Sequence, residues 1–313
     1  MLTIPVCNHY FSIEGQSFDN IPNYFAHHST GYKILPPFKK QMTQPTTYLP
    51  HPELQEYIAG YGILEIPEGV IEPYFSPPLG LSGFIIQSLN TQKKVIAKIE
   101  GEDFFTESAV VTGQVTYPVY GELIGQVKTI MVFFQPLGMH QLFGTEMSSL
   151  KNKSMILSDF LGKEKADKLL VKLRAVQDSE NQIGALNDFF LGLNTIGKEI
   201  DNIKRVMDYI HINKGGVTIM EIEENCHCQR KTLERHFKKM IGLSPKVYTQ
   251  IYQFKCLINL LHAQPGITWS QLADQAGYYD QSHMSRYVKE YLKVSPNRIV
   301  ELDMDFINYL LKR

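Results

Sequence analysis

The chain has 313 residues, a formal net charge of −1, 43% hydrophobic and 20% charged residues, which argues against a disordered or fibrous chain and fits two globular domains, each with its own core. No apolar run approaches the roughly 20 residues needed to span a bilayer, the best being the strand-length Ile130 to Phe134. Met1 to Cys7 lacks a basic stretch followed by a long apolar one, so no signal peptide is expected and the compartment expected is the cytosol, at the nucleoid. No membrane partner is expected.

From about Phe38 to Pro136, short alternating runs such as Gly83–Gln87, Lys94–Ile99 and Thr129–Phe134 are broken by Gly and Pro. That pattern predicts a β-rich domain over 1–145. His51 to Tyr61 reads as an amphipathic turn or helix leading into it. Pro136 to Gly144 opens a helical region that reaches Ile212, with a connector over 146–200 carrying Leu169, Leu170 and Leu173 on periodic faces. Tyr10, Phe11, Tyr24, Phe25, Tyr74, Phe75, Phe84, Phe104, Phe105, Phe133 and Phe134 supply aromatic volume, read as core in preference to a ligand pocket. The sequence names no effector-contacting residue.

The most telling pattern lies in 201–313, where one sentence is said twice. Leu233 to Pro245 is echoed by Met284 to Pro296, with Arg235 matching Arg286 and Lys238 matching Lys289; one supersecondary unit has been used twice. In the first copy, over about 218–242, Thr218 caps a helix from Ile219 to about Asn225, Cys226-His227-Cys228 forms the turn, and a second helix runs from Arg230 to Met240. Its Leu233, Phe237 and Met240 share one stripe, and Arg230, Lys231, Glu234, Arg235 and Lys238 the other. Gly242 supplies the left-handed cap.

Ser244-Pro245 opens a long helix to about His262. The second copy, over about 268–293, repeats the order: Thr268 before a helix from Trp269 to Gln275, a turn at Gly277, and Asp280 capping a helix from Gln281 to about Leu292. Met284, Val288 and Tyr291 are expected inward; Gln281, Ser282, Ser285, Arg286 and Lys289 are expected outward. The tail Asp303–Arg313 has Phe306, Ile307, Leu310 and Leu311 on one face and no assigned role.

Acidic residues outnumber basic ones before about Asp201, whereas Arg230, Lys231, Arg235, Lys238, Lys239, Lys246, Arg286, Lys289, Lys293 and Arg298 crowd the region after it. A near-neutral average therefore hides a locally basic face suited to nucleic acid. Of the four cysteines, Cys7 and Cys256 are isolated, and Cys226-His227-Cys228 is too compact for the paired C-x-x-C spacing of structural zinc.

On these residues, Ile203 to Val300 resembles the DNA-binding domain of the AraC/XylS family of bacterial transcription regulators, above all over Leu272-Ala-Asp-Gln-Ala-Gly-Tyr-Tyr-Asp-Gln-Ser-His-Met-Ser-Arg286. The resemblance implies two helix-turn-helix units joined by a long helix, with the second helix of each entering the major groove of double-stranded promoter half-sites. It places Lys231, Glu234 and Arg235 at bases with Arg230 and Lys238 nearer the phosphates, and Gln281, Ser282 and Arg286 at bases in the second unit, with Ser285 and Lys289 on the same face. It implies an α+β chain whose cupin-like front domain binds a small effector, dimerises, or does both, and it raises RNA polymerase as a further contact. Gln229 stands at a usual Ser cap, Val288 at a usual core Phe, Lys293 at a usual Gly and Gln253 at a common Arg.

Two other readings stay open. One is a constitutive DNA-binding homodimer without an effector. The other is a metal-dependent cupin enzyme with DNA targeting, which requires clustered His and Glu ligands on neighbouring strands; His9, His27, His28, His51 and His140 are scattered, and no nucleotide-binding Gly-rich loop, G-x-S-x-G or H-E-x-x-H occurs. No cofactor, metal or catalytic residue is expected.

Overall fold

The structure is a computed structural model that describes residues 25–26, 33–34, 43, 45–68, 70–87, 96–99, 102–105, 108–124, 126–193, 200–293, 295 and 299. The expectations on Cys7, His9, Tyr10, Phe11, Tyr24, His27, His28, Phe38, Pro296, Arg298 and the tail from Asp303 fall outside these residues, as do the side chains of Phe25, Tyr74, Phe104 and Phe105. Residues 1–34 and 35–313 form two compact units. In the first, Phe25–Ala26 (β1) pairs antiparallel with Lys33–Ile34 (β2).

The second unit opens with antiparallel sheet. Its strands are Thr46–Tyr48 (β3), Ile58–Ile66 (β4), Ile71–Ser76 (β5), Ser82–Gln87 (β6), Ile96–Ile99 (β7), Glu102–Phe105 (β8), Ala109–Thr112 (β9), Val119–Ile124 (β10), Val127–Phe134 (β11) and Ser154–Ile156 (β12). Among the described residues they make a six-stranded sheet in the order β12-β9-β6-β11-β4-β3 and a four-stranded sheet in the order β5-β10-β7-β8. Phe75 of β5 and Tyr120 of β10 face one another at 5.2 Å in the smaller sheet.

Two expectations about this half need correction. His51 to Tyr61, expected as an amphipathic turn or helix, is a turn at its start, with a single 3-10 turn over Pro52–Leu54, but from Ile58 it already belongs to β4. Gly60 and Gly62 are poor helix formers, and pairing with β11 on one side and β3 on the other satisfies the backbone better than a short helix would. The stretch 146–200, expected as a helical connector, also contains β12, which pairs Ser154 with Thr112 and Ile156 with Val110. Asn152, at φ 55°, turns the chain into that strand, and its side-chain oxygen accepts the Thr116 amide at 2.8 Å.

Helices cover the larger sheet. After Gly138–Phe143 (α1), the helices Leu157–Leu161 (α2), Lys163–Ala175 (α3) and Ser179–Leu191 (α4) bury Leu157, Leu169, Leu173, Leu186 and Phe190 in the same core as Tyr61, Phe84, Ile130 and Phe134. Phe84 meets Phe134 edge-on at 5.0 Å and Phe190 at 6.0 Å. Phe75, Phe84 and Phe134 are thus core, and truncating one such ring to Ala typically costs about 3–5 kcal/mol. The helical cover is also tied by polar groups: buried Tyr61 donates to Asn187 at 2.9 Å, and Lys128 of β11 donates to the Gln177 carbonyl at 2.8 Å and pairs with Glu65 at 3.0 Å.

The remaining helices are Asp201–Ile212 (α5), Ile219–Cys226 (α6), Arg230–Met240 (α7), Pro245–Ala263 (α8), Trp269–Gln275 (α9) and Gln281–Leu292 (α10). The chain is α+β, with a β-rich front and a helical C-terminal part. No helix among the described residues is long and apolar enough to cross a membrane.

Candidate nucleic-acid interface

The first unit is built by its caps. Thr218 accepts the Glu221 amide at 3.2 Å while Glu221 accepts the Thr218 amide at 2.7 Å, a reciprocal box that starts α6. Those hydrogen bonds hold the exposed Glu221 carboxyl below its ordinary range. Cys226 closes α6 and belongs to the helix, not to the turn; His227, in the left-handed region at φ 50°, reverses the chain.

Gln229 makes no side-chain cap for α7. The job falls to Glu223, one turn back on α6, whose carboxylate accepts the Arg230 amide at 2.8 Å. Carboxylates at helix N-termini are favoured by the exposed N–H groups and the dipole. Ile222, Leu233, Phe237, Met240 and Ile241 are buried, and Phe237 packs edge-on to Tyr248 of α8 at 5.7 Å.

With that stripe fixed inward, Arg230, Lys231, Arg235 and Lys238 are exposed and Glu234 half-buried. Lys231, Glu234, Arg235 and Lys238 lie at i, i+3, i+4 and i+7, one face of α7. Arg230 pairs with Glu234 at 3.2 Å on this surface, worth only a few tenths of a kcal/mol, so both groups are available to a ligand. Gly242 ends the helix at φ 89°, where its amide reaches the Phe237 carbonyl at 3.1 Å. A β-carbon there would stand 2.8 Å from the Met147 carbonyl, so glycine also lets α7 seat against the turn at Met147–Leu150.

The second unit repeats the design with different atoms. Thr268 and Gln271 form the capping box of α9, and Asp280 caps α10 by accepting the His283 amide at 2.7 Å. Gly277, at φ 72°, makes the turn. Gln253, the residue standing at a common Arg, is only 6% exposed and donates to the carbonyls of both Ala276 and Gly277. It fastens the turn to α8.

Met284, Val288 and Tyr291 are buried, and so is Tyr287. The i, i+3, i+4, i+7 series 284, 287, 288, 291 carried that signal. Phe254 of α8 meets Tyr291 edge-on at 5.1 Å, which refills part of the volume that Val288 leaves. Lys293 takes the left-handed cap at φ 57° that glycine adopts more cheaply.

On the outward side, Gln281, Ser282, Arg286 and Lys289 are exposed and Ser285 half-buried. The sequence reading did not single out Tyr279, which is 93% exposed immediately before the Asp280 cap; nothing in its local pattern distinguishes it from its buried neighbour Tyr278. Cys226, the last residue of α6, is buried, Cys228 donates to the Ile222 carbonyl at 3.8 Å, and burial holds both thiols above the ordinary thiol range. Among the described residues no three His, Cys, Asp or Glu side chains gather as a metal-binding group.

Residues 224–301 match the family described as "Helix-turn-helix domain", and residues 46–155 match "Domain of unknown function (DUF6597)". No curated protein matches the chain. Among solved structures, ToxT from Vibrio cholerae O395 is similar at 10% identity, covering 80% of this chain and 99% of that one with a TM-score of 0.43. The unsaturated fatty acid bound wild-type ToxT from Vibrio cholerae strain SCE256 is similar at 13% identity, covering 83% and 97%, with a TM-score of 0.43. The AraC-like transcriptional activator CuxR is similar at 14% identity, covering 71% and 80%, with a TM-score of 0.31.

Proposed function

The chain belongs, by its double helix-turn-helix domain, to the AraC/XylS family of DNA-binding transcription regulators, and on that premise we propose that α7 and α10 read two successive major-groove segments of one promoter half-site. The observation that carries this is the repeated exposure pattern. Each unit turns an apolar stripe to α8 and leaves a row of long polar and cationic side chains outside.

In this reading Lys231, Glu234 and Arg235 meet base edges while Arg230 and Lys238 hold phosphates. Gln281, Ser282 and Arg286 read the second groove, with Ser285, Lys289 and the Tyr279 hydroxyl toward the backbone. Arg suits guanine O6 and N7, Gln suits adenine, and Glu accepts from cytosine N4.

The front half, 1–145 in the division we propose, modulates DNA binding by taking up a small effector, by dimerising, or by both, acting through its helical cover toward the DNA-binding half from 201. The seat of Gly242 on Met147 supports such coupling, because a shift of the 147–150 turn bears directly on the end of α7.

The test is selection of bound sequences from a random DNA pool by the full-length chain at two salt concentrations. Two enriched blocks about ten base pairs apart are expected. A single block, unchanged when Arg286 is replaced by Ala, would overturn the role of α10.

A further inference from the structure

Two free thiols meet at the joint between α6 and α7, one on either side of His227. His227, at φ 50° and ψ 46°, is the mirror image of a helical residue, so the Cα atoms of Cys226 and Cys228 lie about 5.4 Å apart, the i to i+2 chord of a helix. The Cys228 amide donates to the Glu223 carbonyl at 3.2 Å and its thiol to the Ile222 carbonyl at 3.8 Å, which folds this sulfur back over the last turn of α6. A helical side chain leans toward the N-terminus of its own helix, so the Cys226 sulfur covers that same turn. The two sulfurs share one small region, and the Arg205 guanidinium of α5 acts on both.

The donor set selects the ion. Thiolates favour soft metals, but structural zinc takes four ligands and iron–sulfur clusters four cysteines, and among the described residues no third His, Cys, Asp or Glu completes a metal-binding group here. A soft, closed-shell monovalent ion such as Cu(I) is satisfied by two sulfurs. Burial keeps both thiols protonated at neutral pH, which makes them poor nucleophiles toward an oxidant. It does not protect them from a metal, because coordination removes the thiol proton outright. The step balances: two S–H bonds break, two Cu–S bonds form, two protons leave to solvent and no electron is transferred. The product carries one negative charge, which Arg205 offsets against the Glu223 carboxylate beside Cys228. The hydrogen bond given up at Ile222 has a thiol as its donor and is weak.

We infer that Cys226 and Cys228 form a two-thiolate site for Cu(I) at the joint of the first helix-turn-helix unit. The ion ties the end of α6 to the residue before Gln229, which gives α7 no side-chain cap of its own, and so resets α7 against α6 and changes its hold on DNA. That consequence rests on the reading that α7 meets DNA; the site itself does not.

The experiment uses the full-length chain with Cys7→Ser and Cys256→Ser, so that the pair holds all the thiols. It is titrated anaerobically with Cu(I) against bicinchoninate as competing chelator, with Zn(II) run in parallel, and the series is repeated with Cys226→Ser and Cys228→Ser added singly. Expected are one Cu(I) withdrawn from the chelator per chain, release of two protons, far weaker zinc uptake, and at least about a hundredfold loss of Cu(I) affinity in each added variant, about 2.7 kcal/mol. Should Cys226→Ser fail to fold, Cys228→Ser, at the less buried position, carries the test. No Cu(I) withdrawn from the chelator, Cu(I) held as tightly by either folded variant, zinc bound as well as Cu(I), or a Cys226–Cys228 disulfide forming in place of the complex overturns the site. DNA affinity of the copper-loaded and copper-free chain is read separately: a difference that Cys228→Ser abolishes supports the coupling to α7, and copper binding with DNA affinity unchanged keeps the site and overturns that coupling.

Discussion

The side-chain amide of Gln253 donates to the carbonyl of Gly277, so the linking helix holds the turn of the second helix-turn-helix unit by a polar clamp inside the domain. The same amide reaches the Ala276 carbonyl at 3.2 Å. Replacing Gln253 with Leu keeps the volume but strands two carbonyls, and an unsatisfied buried acceptor costs about 1–3 kcal/mol. Urea unfolding of Gln253→Leu should show that loss, and the second DNA block should be enriched less than the first.

Arg235 and Lys238 occupy one face of α7 but are assigned different partners. Arg235→Ala should weaken specific DNA binding by about 1–3 kcal/mol and blur preference at one base pair, whereas Lys238→Ala should weaken all sequences alike and lower the salt slope by about one. Fluorescence anisotropy on specific and random duplexes across a salt series separates the two. Equal losses of Arg235→Ala on both duplexes would remove it from base reading.

The cap that α6 lends to α7 is testable by exchange. Glu223→Ala removes the carboxylate from the Arg230 amide and should destabilise the chain by about 0.5–2 kcal/mol. Adding Gln229→Ser restores a local cap, and the double variant should recover most of that loss in thermal unfolding. No recovery would mean that Glu223 acts elsewhere.

His211 gives the fold a defined response to acid. Burial first, then the Lys255 charge, push its pKa down to about 4, against a smaller upward pull from Asp208. Its ring nitrogen shares a hydrogen bond with the Tyr248 hydroxyl at 2.9 Å. The folded pKa lies below the unfolded value near 6.5, so the unfolded chain takes up the proton first. The contribution to stability is full above pH 6.5 and is lost as pH falls toward 4. With His211 partly solvent-exposed, the drop from pH 7 to pH 5 should be about 1 kcal/mol. His211→Gln keeps a hydrogen-bonding side chain but cannot titrate, and urea melts at the two pH values should show that part of the drop removed.

What the residues disclosed in advance was whatever is encoded locally. Thr218, Thr268, Asp280 and Gly242 are caps readable at fixed offsets from apolar stripes, and the duplication let each copy check the other, so helix limits in this half agree with the structure to within a residue or so. Ile58 to Tyr61 misled because its apolar spacing suits a helix as well as a strand buried on both faces, and only the partners β11 and β3 decide. β12 needed Thr112 as a partner, 42 positions earlier in the chain. Glu223 and Gln253 were invisible as functional parts for the same reason: each completes a turn that belongs to another element.

Tyr248 near the start of α8 carries the first unit through Phe237, and Phe254 further along it carries the second through Tyr291. The 19 residues of α8 span about 28 Å, and each one advances the axis by 1.5 Å while rotating it by about 100°. Length and azimuth are therefore locked together: one residue added to α8 would swing α10 about a quarter-turn out of phase with α7 for a gain of 1.5 Å. If α7 and α10 read successive grooves as proposed, the operator shares the same lock. One base pair inserted between its two blocks would turn the second groove by roughly 35° and move it by about 3.4 Å, and a whole added turn of about 34 Å would exceed what α8 spans, so any change of spacer should cost one unit its contacts.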